Sequence, residues 1–351
     1  MTKNRIVGLA QIGLGAWSSA IADAVGRSGN AKLVTCYTRT TEKRKAFSEK
    51  YGCDHENSYE DVLKRTDVGG VLLTSPNAVH AEQAILAAQN GKHVFVDKPL
   101  ANTMEQGKAI VDACKKSGVI LMVGHHMRRF SGFRKMKELI DAGTIGDPIQ
   151  VEANFSHNMG LTLKPGDFRW RGDDSGCPAG ALMTMGIHHA DTLNYLFGPI
   201  KSVFSFFNKL YVTADVEDVT TTIFQFESGI LGYLGSNYAS PKALWMYVYG
   251  TRANLLCTVT LPELPFAEYL LHLPFVDRDT QLQIFEKGKT GSKNVPLSEG
   301  DPILDEMDDF ADCIRSGRQP ETDGKGGLAA LALIRATIES ARTGKQAEIE
   351  K

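Results

Sequence analysis

The chain has 351 residues, with 39 Lys and Arg against 41 Asp and Glu and a net charge of −2 with His neutral. This length suggests two domains, on a prior of roughly 100–200 residues each, and it is ample for a sizeable core. Acids and bases are interspersed without a basic block, which argues against a nucleic-acid partner; no apolar run reaches the ~18 residues of a membrane span.

Arg5–Ile12 reads as a first strand. Lys3 and Arg5 ahead of an apolar run superficially resemble a secretion signal, but Gly8, Gln11, Gly13 and Gly15 interrupt that run, and a strand entering a turn explains it better. Helix and strand patterns then alternate: helix 16–28, strand 32–37, helix 41–51, a helix opened by Ser58, strand 70–74, helix 79–90, strand 93–96, helix 105–117 and strand 120–123. Such alternation implies parallel βαβ units with helices on both faces. The strands are near-continuous apolar runs, as strands covered on both sides should be.

The character changes near residue 126, so 1–125 is expected to be a dinucleotide-binding domain and 126–351 a second one. A helix at 133–142 and a strand at 149–156 precede an irregular stretch, 157–180. A helix at 181–197 leads to strand-like segments at 201–212, 219–227, 229–238, 243–249 and 253–258, which suggest an antiparallel sheet. Residues 302–316 and 326–343 read as helices. Cys36, Cys53, Cys114, Cys177, Cys257 and Cys313 form no C-x-x-C pair, so neither a metal site nor a disulfide framework is expected; a reducing cytoplasm is.

Gly13-Leu14-Gly15-Ala16-Trp17-Ser18 follows the first strand and is one glycine short of the dinucleotide fingerprint. Gly13 would make the tight turn and Gly15 would admit a pyrophosphate; the third position governs helix–strand packing, where Ser is tolerable. The N–H groups of the next helix add positive potential. A glycine-bearing turn without a ligand is the alternative. NAD binders carry an acid at the end of the second strand; here Tyr37-Thr38-Arg39-Thr40 has none. Thr38 and Arg39 suit a 2′-phosphate, which favours NADP over NAD unless Arg39 is merely solvated.

Val94-Phe95-Val96-Asp97-Lys98-Pro99 is a strand stopped by proline. It presents Lys98 at a strand's carboxyl end, where open α/β sheets bind ligands. Lys98 could stabilise an oxyanion there, or be an ordinary solvated lysine. Thr184, His188 and Asp191 lie at i, i+4 and i+7 on an otherwise apolar helix, and Tyr195 continues the stripe. Polar groups so placed must pair or line a cavity. His188 could be a general base or a satisfied core histidine. His189 points elsewhere, and the His125-His126 pair lacks partners at ligand spacing.

These features occur in an order that resembles the Gfo/Idh/MocA oxidoreductases over essentially the whole chain. The marks are the turn at 13–18, Thr74-Ser75-Pro76-Asn77 with His80, Asp97-Lys98-Pro99, Met127-Arg128-Arg129-Phe130, Trp170-Arg171, Gly186-x-His188-x-x-Asp191, and a tail running from Asp309-Phe310 to Pro320-Glu321-Thr322. The resemblance implies a doubly wound Rossmann sheet, then an α+β domain whose open, mainly antiparallel sheet commonly forms a homodimer or homotetramer interface. It implies NAD(P)(H), a sugar, cyclitol or polyol substrate, Lys98 and His188 as the catalytic pair, and Asn77 and His80 near the nicotinamide ribose. Gly13, Gly15, Ala16, Trp17, Ser18, Thr38, Arg39, Thr74, Ser75, Pro76, Asp97 and Lys98 complete the expected cofactor contacts. Arg128, His157, Asn158, Arg171, Thr184 and Asp191 are the expected substrate contacts. Two departures stand out: Asp97 replaces the usual Glu, and Thr184 stands where many members carry Asp. Thr184 cannot hold the negative charge that would stabilise an imidazolium. Two other readings of the same residues are a non-catalytic dinucleotide-binding regulator and an enzyme that cleaves glycosides through transient oxidation.

Overall fold

The structure, a computed structural model, describes residues 6–162, 172, 176–264, 268 and 277–350. They form two compact units; the first consists mainly of 6–126 and 301–328, the second of most of the remainder.

In the first unit, β1 (Val7–Ile12), β2 (Ala31–Tyr37), β3 (Asp54–His55), β4 (Gly70–Leu73), β5 (His93–Asp97) and β6 (Leu121–Gly124) pair in the order β3-β2-β1-β4-β5-β6, every pair parallel. The order reverses between β1 and β4, the switch point at which doubly wound sheets bind ligands. The intervening helices are α1 (Ala16–Arg27), α2 (Thr41–Tyr51), α3 (Tyr59–Lys64), α4 (His80–Gln89) and α5 (Met104–Ser117). Their stops are chemical: Gly52 and Gly118 end α2 and α5 in the left-handed region, and Ser58 caps α3 by accepting from the Asp61 amide. Leu9, Leu72, Phe95 and Met122 are buried with Ile21 and Val25 of α1.

The first unit's core also takes Ile303, Met307 and Phe310 from α9 (Pro302–Ser316), a helix of the chain's last fifth. Asp308 on α9 accepts hydrogen bonds from Ser28 and, at 3.1 Å, from Asn30, and the Val123 amide donates to the Thr322 carbonyl at 2.8 Å.

The second unit has α6 (Ser131–Asp141), β7 (Pro148–Ser156), the short α7 (Met159–Thr162), α8 (Ile187–Phe197) and a run of strands: β8 (Ile200–Asn208), β9 (Val219–Phe226), β10 (Leu231–Asn237), β11 (Ala243–Gly250), β12 (Ala253–Val259), β13 (Thr280–Glu286), β14 (Lys293–Asn294) and β15 (Ala347–Glu348). The sheet order is β14-β13-β12-β11-β7-β10-β9-β8-β15. Among the described residues, only β7 and β10 run parallel in this sheet. Strands in this sheet alternate buried and open positions, so one face is packed and the other left exposed. The final helix, α10 (Gly324–Thr343), starts in the first unit and ends in the second.

Three sequence expectations are corrected. The strand expected at 201–212 stops at Asn208, because the amides of Leu210, Tyr211 and Val212 donate to the Asp218 carboxylate (2.9, 2.6 and 2.8 Å) instead of to a ladder. The helix expected at 181–197 opens with a π-helical turn, Leu182–Gly186, before α8. Strand β13 was not anticipated; its Thr-Gln-Leu-Gln-Ile alternation is too short to stand out between charged flanks.

Candidate active site

The candidate residues fall in both units. In the first, they gather at the carboxyl edge of the parallel sheet because the strands carrying them end there. The chain leaves β1 through Gly13, whose φ of +82° suits glycine. A Cβ there would lie 2.6 Å from the Ser75 amide nitrogen, so the turn requires the missing side chain. Thr74, just past β4, donates its hydroxyl to the Gly13 carbonyl (2.7 Å) and accepts from the Gln11 amide (2.8 Å). Gln11 is fully buried and also reaches the Leu72 carbonyl at 3.2 Å. Its role was missed from the sequence, although a lone glutamine in an apolar strand is the signal for it.

Gly15 is the N-cap of α1 and contributes no side-chain cap; a Cβ there would meet nothing within 4 Å. Open space thus adjoins uncapped amides at a helix N-terminus, the arrangement that receives a phosphate. Ala16 and Trp17 form the first turn. Ser18, in the third fingerprint position, donates its hydroxyl to the Gly15 carbonyl at 2.6 Å, so the substitution braces the turn. Trp17 packs against His126, ring centroids 5.1 Å apart.

Beyond β4, Ser75 donates to Gln83, and Pro76 leads into Asn77. Asn77 is 3 % exposed, and its amide nitrogen has no hydrogen-bond partner among the described residues. A buried donor of this kind is costly unless a ligand meets it. His80 is fully buried between the Ser75 carbonyl (2.9 Å) and the Pro99 carbonyl (3.0 Å), and burial lowers its pKa. It ties the loop after β4 to the loop after β5. Asp97 ends β5 opposite Gly124, where a Cβ would come within 3.2 Å of the Asp97 carboxylate. Lys98 follows, half-buried, with a cis peptide to Pro99. Thr38 and Arg39 stand past the end of β2, and Arg39 is exposed. Glycine turn, uncapped helix and orphaned Asn77 amide together fit a dinucleotide.

In the second unit, the polar stripe is held by distant partners. Thr184 lies in the π-helical turn. It donates to the Gly180 carbonyl (3.1 Å) and forms a short hydroxyl pair with Tyr238. Tyr238 is fully buried and stacks on His157 with centroids 5.2 Å apart. Nothing local in the sequence marks Tyr238. Packing around His157 pushes its pKa down to about 4, with the Lys242 charge adding to the effect. Asn158 is half-buried beside it. His188 is buried against Phe155, ring centroids 6.0 Å apart.

Asp191 is engaged by Arg128: Nε donates to one carboxylate oxygen at 2.7 Å and Nη2 to the other. The pair is buried, and the Arg128 guanidinium lies 5.1 Å from the Tyr195 ring. Asp191 therefore fixes Arg128, and Tyr195 is the platform beneath it. His189 reaches the Asn154 carbonyl at 3.1 Å, and burial brings its pKa to about 4. Arg171 and Trp170 lie outside the described residues.

Comparisons with known proteins follow the same division. Residues 7–125 match the oxidoreductase family with an NAD-binding Rossmann fold, and residues 133–256 match the Gfo/Idh/MocA C-terminal domain. A crystal structure from Desulfitobacterium hafniense DCB-2, named as that of a candidate NADPH-dependent oxidoreductase, superposes with a TM-score of 0.92 at 35% identity, covering 98% of each chain. The 1,5-anhydro-D-fructose reductase of Ensifer adhaerens is 26% identical over 92% of this chain and 93% of its own length. The myo-inositol 2-dehydrogenase of Thermotoga maritima is 26% identical over 97% of this chain and 98% of its own length.

Proposed function

The chain belongs to the Gfo/Idh/MocA oxidoreductase family, and from that premise we propose that it interconverts a secondary alcohol and a ketone on a sugar, cyclitol or related polyol, with NADP favoured over NAD. The observation that carries the reading is the gathering of an open glycine turn, an orphaned buried amide at Asn77 and a half-buried Lys98 at one edge of a parallel sheet. The names of the reductase and inositol-dehydrogenase relatives support the substrate class, and the name of the Desulfitobacterium structure, a candidate NADPH-dependent oxidoreductase, supports the cofactor.

A bound nicotinamide dinucleotide supplies the hydride chemistry. This chain's residues do the rest. The amides after Gly15 take the pyrophosphate, Thr38 and Arg39 the adenosine ribose and its phosphate, and the Asn77 amide the second ribose. The Lys98 ammonium donates to the reacting substrate oxygen and stabilises its developing negative charge. The His188 imidazole takes the hydroxyl proton in oxidation and returns it in reduction. Thr184, His157, Asn158, Arg128 and Arg171 orient the remaining hydroxyls, with Arg128 held in place by Asp191.

Nicotinamide absorbance, followed while sugars and cyclitols are offered with either cofactor, tests the reading. Turnover is expected with at least one of them. Lys98→Met should lower kcat by about 10³ while NADPH still binds. A variant with wild-type turnover, or a wild type that binds cofactor and turns over nothing, would overturn the assignment.

Among the described residues no helix is long and apolar enough to cross a membrane. All six cysteines are buried thiols, in keeping with a cytoplasmic protein. The open sheet face shows Phe206, Ile223 and Leu231, each more than half exposed, and exposed apolar patches of this kind mark interfaces. We assign it to a homo-oligomer. Light scattering should find a dimer or tetramer that Ile223→Asp weakens; a wild-type monomer would refute it.

A further inference from the structure

Arg44 projects from the first turns of α2 and is 6 % exposed. Nη1 donates to the Thr38 carbonyl at 3.0 Å and the Asn57 carbonyl at 3.5 Å. Nη2 donates to the Thr41 hydroxyl at 3.0 Å and the Asn57 side-chain oxygen at 3.4 Å. Every one of these acceptors is neutral, and Nε has no hydrogen-bond partner among the described residues. The guanidinium lies 5.8 Å from the Tyr37 ring.

Two other arginines are treated differently. Arg65 in the same unit meets Asp54, Glu56 and Asp67, and buried Arg128 meets Asp191. Glu56, two residues after β3 begins, is turned to Arg65 at 2.8 Å, which it shares with Asp54 and Asp67, and not to Arg44. A guanidinium taken out of water without a counter-charge is expensive, and an anionic ligand would offset that cost.

The surroundings match. Thr41-Glu42-Lys43-Arg44-Lys45, the opening of α2, carries a surplus of positive charge. Thr40 caps that helix without a side-chain hydrogen bond, so its first amides stay available and its dipole adds to the field. Arg44 also ties both ends of the loop that carries Thr38 and Arg39, through the Thr38 carbonyl and the Thr41 hydroxyl.

We propose that Arg44 is a cofactor-specificity residue: it fixes the Tyr37–Thr41 loop and adds the buried positive charge that favours a dinucleotide bearing a phosphate monoester on its adenosine ribose. This rests on the NADP reading above. Arg44 acts through the loop and through its field, as a positioning residue rather than a catalytic one.

Fluorescence titrations with NADPH and NADH on the wild type, Arg44→Gln and Arg44→Lys separate the possibilities and need no substrate. The wild type should bind NADPH more tightly. Arg44→Gln should weaken NADPH about tenfold or more and NADH less than about threefold. Arg44→Lys keeps the charge but loses the fork, and should weaken NADPH by about threefold. Equal losses for both nucleotides in Arg44→Gln would reduce Arg44 to a structural pin and overturn the proposal. A wild type that prefers NADH would overturn the NADP reading beneath it, whatever the variants do. Should Arg44→Gln fail to fold, competition by 2′,5′-ADP and by ADP against wild type and Arg44→Lys decides. The gap between the two inhibitors should narrow in the variant, and an unchanged gap would overturn the proposal.

Discussion

Gly13, Thr74 and Lys98 of the first unit are placed by backbone: the strands that carry them stop at the same edge of one parallel sheet. Thr184, His188 and Asp191 of the second unit are placed by side chains: one helix turns them out, and residues far along the chain hold them. A site of the first kind tolerates exchange of a side chain because its geometry lives in strand register. Ser18 illustrates this, replacing a glycine and bonding back to the turn it braces. A site of the second kind depends on pairs, and losing one partner leaves the other stranded.

The sharpest test of that contrast is Asp191→Ala, which leaves the Arg128 guanidinium buried without its carboxylate. A loss of about 3–5 kcal/mol is expected, read by denaturant unfolding of the second unit. A loss below about 1 kcal/mol would mean the pair contributes little to placement.

Acid comes next, and it strikes the side-chain-built unit. His189 has a folded pKa of about 4 against an ordinary value of 6.5. A depressed histidine binds its proton more readily when unfolded, so stability rises with pH between about 4 and 6.5 and is lost as pH falls through that window. At about 1.4 kcal/mol per unit the loss approaches 3 kcal/mol by pH 4. His157 is depressed to the same value and adds a like loss, so His189→Gln should remove about half of this slope, and an unchanged curve would refute the attribution.

Gly13→Ala probes the backbone-built unit and should cost least, about 2 kcal/mol, through a left-handed φ and the approach to Ser75. Its signature is weaker NADPH binding with second-unit stability unchanged. If both suffer equally, the distinction between the units fails.

The same contrast explains what could be read beforehand. The alternating elements of residues 5–125 were legible because each is a local pattern: apolar runs, a Ser58 cap, a Gly52 stop. The glycine turn and the strand-end lysine were legible for the same reason. The stripe's residues were legible, but their partners were not. Arg128 lies 63 positions from Asp191, and Tyr238 lies 54 from Thr184. Asp191 thus reads as a substrate contact in sequence and is the counter-ion of Arg128 in the fold. The π-helical turn hid too, since its amides change partners without any glycine or proline within it except Gly186 at its end. Strand β8 read too long because Leu210-Tyr211-Val212 has strand composition, and the Asp218 carboxylate six to eight residues on captures its amides.

The borrowing of α9 by the first unit has a consequence during synthesis. As the ribosome proceeds, β1, α1 and β6 emerge well before Ile303, Met307 and Phe310, which pack with Ile21, Val25 and Phe95. Until α9 follows, the nascent first unit shows this greasy flank to solvent. Apolar surface exposed in this way is what chaperones bind, and protease trimming of chains stalled on either side of residue 316 would reveal when the flank closes.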